Sequence, residues 1–283
     1  MTHSAKPPAD SIVYHVPLAR LEEYRGRRLI VRSDNPHALV ARLGVEDLDR
    51  LAYVQLRSLP SDIDPLIHWA EDLGIDLLLE NPAEDFARLY RYARLLDNHP
   101  VRVSLPVAPG FAKAAKLASS LQFAVRLQIG QPTAPLIESL ARLLDDYLHR
   151  STVTHPIDYF HSLLLGFCHQ EPVSLWAIQE EDPALVRYVD ERGEERLPGK
   201  LAGTAVGTDP AGFVERWSNG LRAVGTECAE CPFFAHCRGY FKWPSREYDC
   251  AGVKTLFHTL AQAADELRGD LAAASPLGGV SPS

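Results

Sequence analysis

The stretch LAYVQLRSLPSDIDPLIHWAEDLGIDLLLENP, residues 51–82, decides the fold. Two apolar runs of strand length, Ala52–Ser58 and Ile75–Asn81, flank a segment over 62–73 whose apolar positions fit a helix. Two parallel strands need a crossover of a dozen or more residues, and this spacing supplies one. The stretch therefore reads as one β-α-β unit.

The same alternation continues in both directions. Strands are expected at Arg28–Asp34, Ala52–Ser58, Ile75–Asn81, Val101–Val107 and Phe123–Gly130. Helices are expected over 37–50, 62–73, 84–97, 110–121 and 133–149, the last with Leu136, Leu140, Leu143, Leu144 and Tyr147 at helical spacing. Short connections between such units predict an α/β chain with a mainly parallel sheet.

A parallel strand covered on both faces is almost continuously apolar. These strands are not. Side chains alternate across a strand, and each strand here has an apolar side and a more polar one: Arg32, Gln55 and Arg57, Glu80, Arg102 and Ser104, Arg126 and Gln128. Helices must cover the apolar sides, so the polar sides face one another across a concave surface. A closed barrel fills its interior with branched apolar chains. An arginine-bearing interior predicts a partial β/α barrel whose lumen meets solvent or a ligand. Arg32, Arg57, Glu80, Arg102 and Arg126 are its candidate ligand-facing residues. The alternative is that the arginines pair with Asp34 and Glu80 and fill space. Asp34, Asn35 and His37 stand in a loop at a strand's carboxyl end, where β/α folds bind ligands; the same residues are also ordinary caps and turn formers.

Composition narrows the classes. The chain has 283 residues, 46% of them hydrophobic, and a net charge of −8 from 29 basic and 37 acidic residues. That length supports one large domain plus a small appendage, and the acidic balance argues against a nucleic-acid surface. No apolar run of about 18 residues predicts a membrane span. The start, MTHSAKPPAD, lacks a signal pattern, so a cytoplasmic protein is expected. Residues 1–10 and 272–283 read as disordered tails. The intervening chain divides into a barrel over 11–212 and a small module over 213–271.

In the middle, Ile157–Phe167 reads as a buried helix with Cys168 after it. Cys168 lies near His155, His161 and His169, yet a lone cysteine at an apolar helix end is usually a small hydrophobe. Residues 185–198 read as a hairpin turning at Glu191-Arg192-Gly193, and 200–213 as a glycine-rich linker.

The module carries four of the five cysteines, spaced Cys228-x2-Cys231-x5-Cys237-x12-Cys250. A reducing compartment disfavours disulfides, so clustered thiols point to metal. Thiolates suit zinc or an iron–sulfur cluster, and the spacing alone leaves both open. His236 could replace a thiol in a zinc site. Pro232, Phe233, Phe234, Tyr240, Phe241, Trp243 and Tyr248 surround the cysteines with apolar and aromatic bulk that would exclude water, or would form the module's own small core. An amphipathic helix over 251–271 is expected to pack the module onto the barrel.

The order of parts resembles the radical SAM/SPASM superfamily, in which a partial β/α barrel precedes a cysteine-rich extension. Cys228, Cys231, Cys237 and Cys250 stand where that extension's motif places the four ligands of its second auxiliary 4Fe-4S cluster. Phe241 stands where a cysteine of the other auxiliary cluster would be, and the upstream cysteines of that cluster are also absent. Leu59-Pro60-Ser61-Asp62 and Glu80-Asn81-Pro82 occupy the places of the family's GGEP and TNG segments. The segment RSDNPHALVARL (32–43) holds none of the three cysteines of the SAM-binding motif. The resemblance thus implies one 4Fe-4S cluster, no SAM cleavage, and a role as a partner or substrate-presenting protein for a peptide- or protein-modifying enzyme. Two other readings stay open: a redox enzyme whose single cluster serves a ligand in the lumen, and a zinc-stapled β/α binding protein.

Overall fold

The computed structural model describes residues 12–150, 155–203 and 209–274. The tail expected over 1–10 and residues 275–283 of the one expected over 272–283 lie outside these residues, whereas Ala272–Ala274 close the last helix rather than opening a tail.

The chain is α/β, built on one eight-stranded sheet in the order β6-β5-β4-β3-β2-β1-β7-β8. The strands are β1 (Val13–Pro17), β2 (Arg28–Ser33), β3 (Leu51–Leu56), β4 (Ile75–Leu78), β5 (Val101–Pro106), β6 (Ala124–Gln128), β7 (Val186–Val189) and β8 (Glu195–Arg196). All neighbours pair in parallel except β7 with β8. The five expected strands are present, each slightly shorter than its apolar run. β1 was not foreseen: VYHVP is short, carries a histidine and ends in proline, so its pattern is weak. It pairs with β2 on one side and β7 on the other, which brings the expected hairpin into the main sheet.

The helices follow in chain order. Helix α1 (Leu21–Tyr24) links β1 to β2, and α2 (Pro36–Arg42) and α3 (Val45–Leu48) divide the expected helix 37–50 at Gly44. The expected helix 62–73 does not form. Only Asp64–Leu66 make a 3-10 turn, and Ala70 and Asp72 have positive φ values of 48° and 69°. Side chains fill the place of the missing helical bonds: the Asn98 amide donates to the Ile67 carbonyl, and the buried His99 ring nitrogens lie 2.7 Å and 3.1 Å from the carbonyls of Leu66 and Leu73. Helix α4 (Pro82–Asp85) runs into a 3-10 stretch over Phe86–Asp97. Helices α5 (Phe111–Ser120) and α6 (Ala134–His149) match expectation. Helix α7 (Asp158–Cys168) includes Cys168 in its last turn, and α8 (Leu175–Ile178) precedes the hairpin. The module holds α9 (Phe213–Ala223), which the sequence reading missed, α10 (Phe234–Cys237) and α11 (Ala251–Ala274).

Burial does not follow the alternation: Arg32, Gln55, Asp76, Ser104 and Arg126 on the polar sides are buried along with the apolar residues. Val31, Val54, Leu56, Leu77, Val103 and Leu127 are almost wholly buried. Their core is continuous with Phe233, Phe241, Leu256 and Phe257 beneath the cysteines. Helix α11, which follows the cysteines, packs against α6 and α7 beside the sheet.

Candidate metal centre and polar lumen

The cysteine loop is held by its carbonyls. Arg238 and Gly239 are both left-handed, at φ 47° and 73°. That turn aims the backbone N–H groups of Gly239, Tyr240 and Phe241 at the Cys237 sulfur. Successive N–H groups converging on one point form an anion-binding nest of the kind found around phosphates and Fe–S sites. The reversed carbonyls are taken up by indole and hydroxyl donors. Trp176 and Ser218 donate to the Arg238 carbonyl, and Trp217 donates to that of Gly239 at 3.0 Å. A side chain at 239 would meet Leu221 Cδ1 at 2.3 Å, so glycine is required there. Tyr240 and Tyr248 anchor the loop to the segment after β6, donating to the carbonyls of Ile129 and Pro132 at 2.7 Å each.

Cys228, Cys231, Cys237 and Cys250 line one small cavity, walled by Phe234, Phe241 and Phe257 among others. All five thiols of the chain are free. Burial pushes the thiol of Cys237 up to about 11 and that of Cys250 up to about 12, and raises Cys228 as well. Thiols so placed become thiolates only when a cation compensates them. Lys242 lines the same cavity and is 6% exposed; it pairs with Glu227 at 2.5 Å and donates to the Tyr248 carbonyl. Lys254 also binds Glu227. Among the described residues, no three His, Cys, Asp or Glu side chains gather closely enough to hold a metal ion between them. His236 accepts from the Val173 amide and packs on Phe167, and Cys168 ends α7; neither lines the cavity.

The polar side of the sheet curls around a single carboxylate. Glu180, which follows α8 with φ 53°, accepts from Tyr53 at 2.7 Å, pairs with Arg102 at 3.0 Å and Arg126 at 3.2 Å, and lies 3.7 Å from His15. Those partners stand on β3, β5, β6 and β1. Arg102 also pairs with Asp76, which accepts from Gln55 and Ser104. Buried charges need such partners. Burial would raise the pKa of Glu180, but Arg126 and Arg102 outweigh it and bring the value to about 2. Burial also keeps His15 neutral, at about 4, against the pull of Glu180.

The five expected lumen residues therefore divide. Arg102 and Arg126 meet at Glu180. Arg32 is buried but joins Tyr188 and the Val189 carbonyl instead. Arg57 is half-buried and pairs with Glu191 on the hairpin tip at 3.2 Å. Glu80 is exposed and makes no ion pair among the described residues, so the arginines do not pair with it; Asp34 is exposed too. Asn35 caps α2 by accepting from the Ala38 amide, and His37 bonds Asp62. Asp76 shares the polar side of its strand with Glu80 and was readable by the period of two. Glu180 sits in an acidic run, Glu180-Glu181-Asp182, with no periodicity to mark it.

Above Glu180 opens a cavity of about 510 Å3, lined by His15, Gln55, Arg126, Gln128, Glu181 and Lys200 among others. It adjoins the cysteine loop: the Tyr240 hydroxyl lies 2.9 Å from Glu181 Oε2, and Lys200 donates to the Tyr240 carbonyl at 2.6 Å. No helix of the described residues is long and apolar enough to cross a membrane. No family model, curated protein or solved structure matches the chain.

Proposed function

We propose that the chain is an iron–sulfur protein of radical-SAM-like architecture that does not cleave SAM. Cys228, Cys231, Cys237 and Cys250 would hold one 4Fe-4S cluster. The observation that carries this reading is four thiols, two buried and two half-buried, around one cavity, with three N–H groups aimed at Cys237. A single tetrahedral zinc draws its sulfurs to about 3.8 Å of one another, from a Zn–S distance of about 2.3 Å. In a 4Fe-4S cluster each thiolate instead meets its own iron, so the sulfurs stand farther apart. Lys242, beside the thiols, offsets the negative charge of the liganded state. A bound cluster would supply one-electron exchange; the chain's own residues exclude water from it and fix its loop. The loop after β2, RSDNPHALVARL, offers arginine, asparagine and histidine where SAM chemistry needs three thiolates. The role that fits is a partner or substrate-presenting protein in peptide or protein modification.

The test is anaerobic purification with iron, sulfide and zinc measured per chain. About four irons and four sulfides are expected. Each of the four Cys→Ser variants should lose them, while Cys168→Ser retains them. One zinc and no sulfide, after anaerobic reconstitution, would overturn the reading in favour of a zinc-stapled binding protein. Reduced protein incubated with SAM should form no 5′-deoxyadenosine.

The 510 Å3 cavity beside Tyr240 favours a second reading, a redox enzyme acting on a ligand held there. A ligand-dependent change in the cluster's potential would separate it from the first.

A further inference from the structure

Arginine and lysine are almost never fully buried unless paired. Three cations are buried among the described residues: Arg32, Arg126 and Lys242. Arg126 has Glu180 and Lys242 has Glu227. Arg32, 5% exposed, has no carboxylate within ion-pair distance among the described residues. Its two terminal nitrogens donate to neutral acceptors, the Tyr188 hydroxyl and the Val189 carbonyl, and its Nε has no partner. Burial pulls its pKa below that of a free guanidinium. The nearby Glu191 is already engaged by Arg57. Its guanidinium lies 3.9 Å from the centroid of the Tyr188 ring, a cation–π contact that offsets part of the charge; no carboxylate offsets the rest, and a buried charge without one is costly.

What lies beside Arg32 has the form of a receptor. A cavity of about 360 Å3 opens at the carboxyl ends of β1, β2 and β3, and Arg32, Arg42 and Arg57 line it from β2, α2 and the end of β3. Ser33 and Asn35 add a hydroxyl and an amide; Asp34 and Glu191 stand on the same wall. The carboxyl ends of parallel strands are where open α/β sheets bind ligands. Guanidinium groups match oxyanions by directed, charge-assisted hydrogen bonds. Three of them arriving from three elements suit a tetrahedral oxyanion, with oxygens pointing several ways, better than a planar carboxylate with two.

We propose that this cavity binds a phosphate group, free or as the phosphomonoester of a small molecule, with Arg32 as its buried anchor and Arg57 and Arg42 closing over it. The Glu191–Arg57 pair opens to admit the anion, and the hairpin carrying Glu191 is thereby coupled to occupancy. The site is separate from the cysteines and stands whether or not they hold iron.

The experiment uses the full chain at constant ionic strength, with chloride as the balancing anion. Inorganic phosphate and glycerol 3-phosphate are titrated by calorimetry and by thermal shift. Saturable binding is expected for at least one of them, and tighter binding of the ester identifies a phosphomonoester as the occupant. A charge-assisted hydrogen bond contributes about 1.5–3 kcal/mol, so Arg57→Gln should weaken binding at least tenfold. Arg57 and Arg42 are partly exposed, so their glutamine variants keep the fold, checked by circular dichroism; Arg32→Gln serves if it also folds. Non-saturating shifts that chloride reproduces would overturn the proposal. So would saturable phosphate binding that Arg57→Gln and Arg42→Gln leave unchanged, or equal binding of acetate or succinate.

Discussion

Replacing Glu180 by alanine removes the carboxylate that holds the curled sheet together. Tyr53, Arg102 and Arg126 lose a shared acceptor, and Arg126 is left buried without its ion-pair partner. Breaking a buried pair from one side costs about 3–5 kcal/mol. The lowered pKa gives an independent figure. A fall from 4.5 to about 2 is worth roughly 3.5 kcal/mol. The folded pKa lies below the unfolded one, so this stability is complete above about pH 4.5 and is lost as pH falls through about 2. The assay is urea unfolding at pH 7 followed by far-ultraviolet circular dichroism. With a slope of roughly 3 kcal/mol/M, the midpoint of Glu180→Ala should drop by about 1 M. The double variant Glu180→Leu/Arg126→Met should regain most of the loss, because replacing both members of a buried pair by apolar groups is often close to neutral, and Arg102 keeps Asp76. A drop under about 0.3 M, or a double variant no better than the single, would refute the view that the lumen is a dry charge network.

Three further outcomes follow from the same contacts. His15 stays neutral in the fold down to about 4 while an unfolded histidine protonates near 6.5, so the protein should lose roughly 3 kcal/mol between those pH values; His15→Phe should flatten the stability–pH curve across that window, and an unchanged curve would rule out His15 as its source. Gly239→Ala, which keeps every thiol, should reduce bound metal several-fold by turning the N–H groups away from Cys237; full metal retention would remove the nest from the site. Lys242→Met should move the cluster's reduction potential to more negative values, since a buried positive charge beside the thiolates favours the reduced state, and voltammetry showing no such shift would contradict its electrostatic role.

The α/β alternation, the five central strands and the polar sides of those strands were readable because they rest on periods of 2 and 3.6, which act within a few residues. That the four cysteines line one cavity was readable because they stand in one short segment. The failures have a common physical cause. Segment 62–73 has helical periodicity, yet the Asn98 and His99 side chains, more than 25 residues away along the chain, satisfy its carbonyls in another conformation. β1 is too short and too polar to announce itself and becomes a strand because β2 and β7 hold it on both sides. Which carboxylate meets Arg102 and Arg126 was beyond the sequence altogether. Glu80 follows β4 on the polar side but is exposed, whereas Glu180, distant in the chain, is the carboxylate that reaches Tyr53, Arg102 and Arg126. Local pattern thus determined what the elements are and which faces are polar; only closure of the sheet decided which charges meet, because ion pairing depends on distance in space and not along the chain.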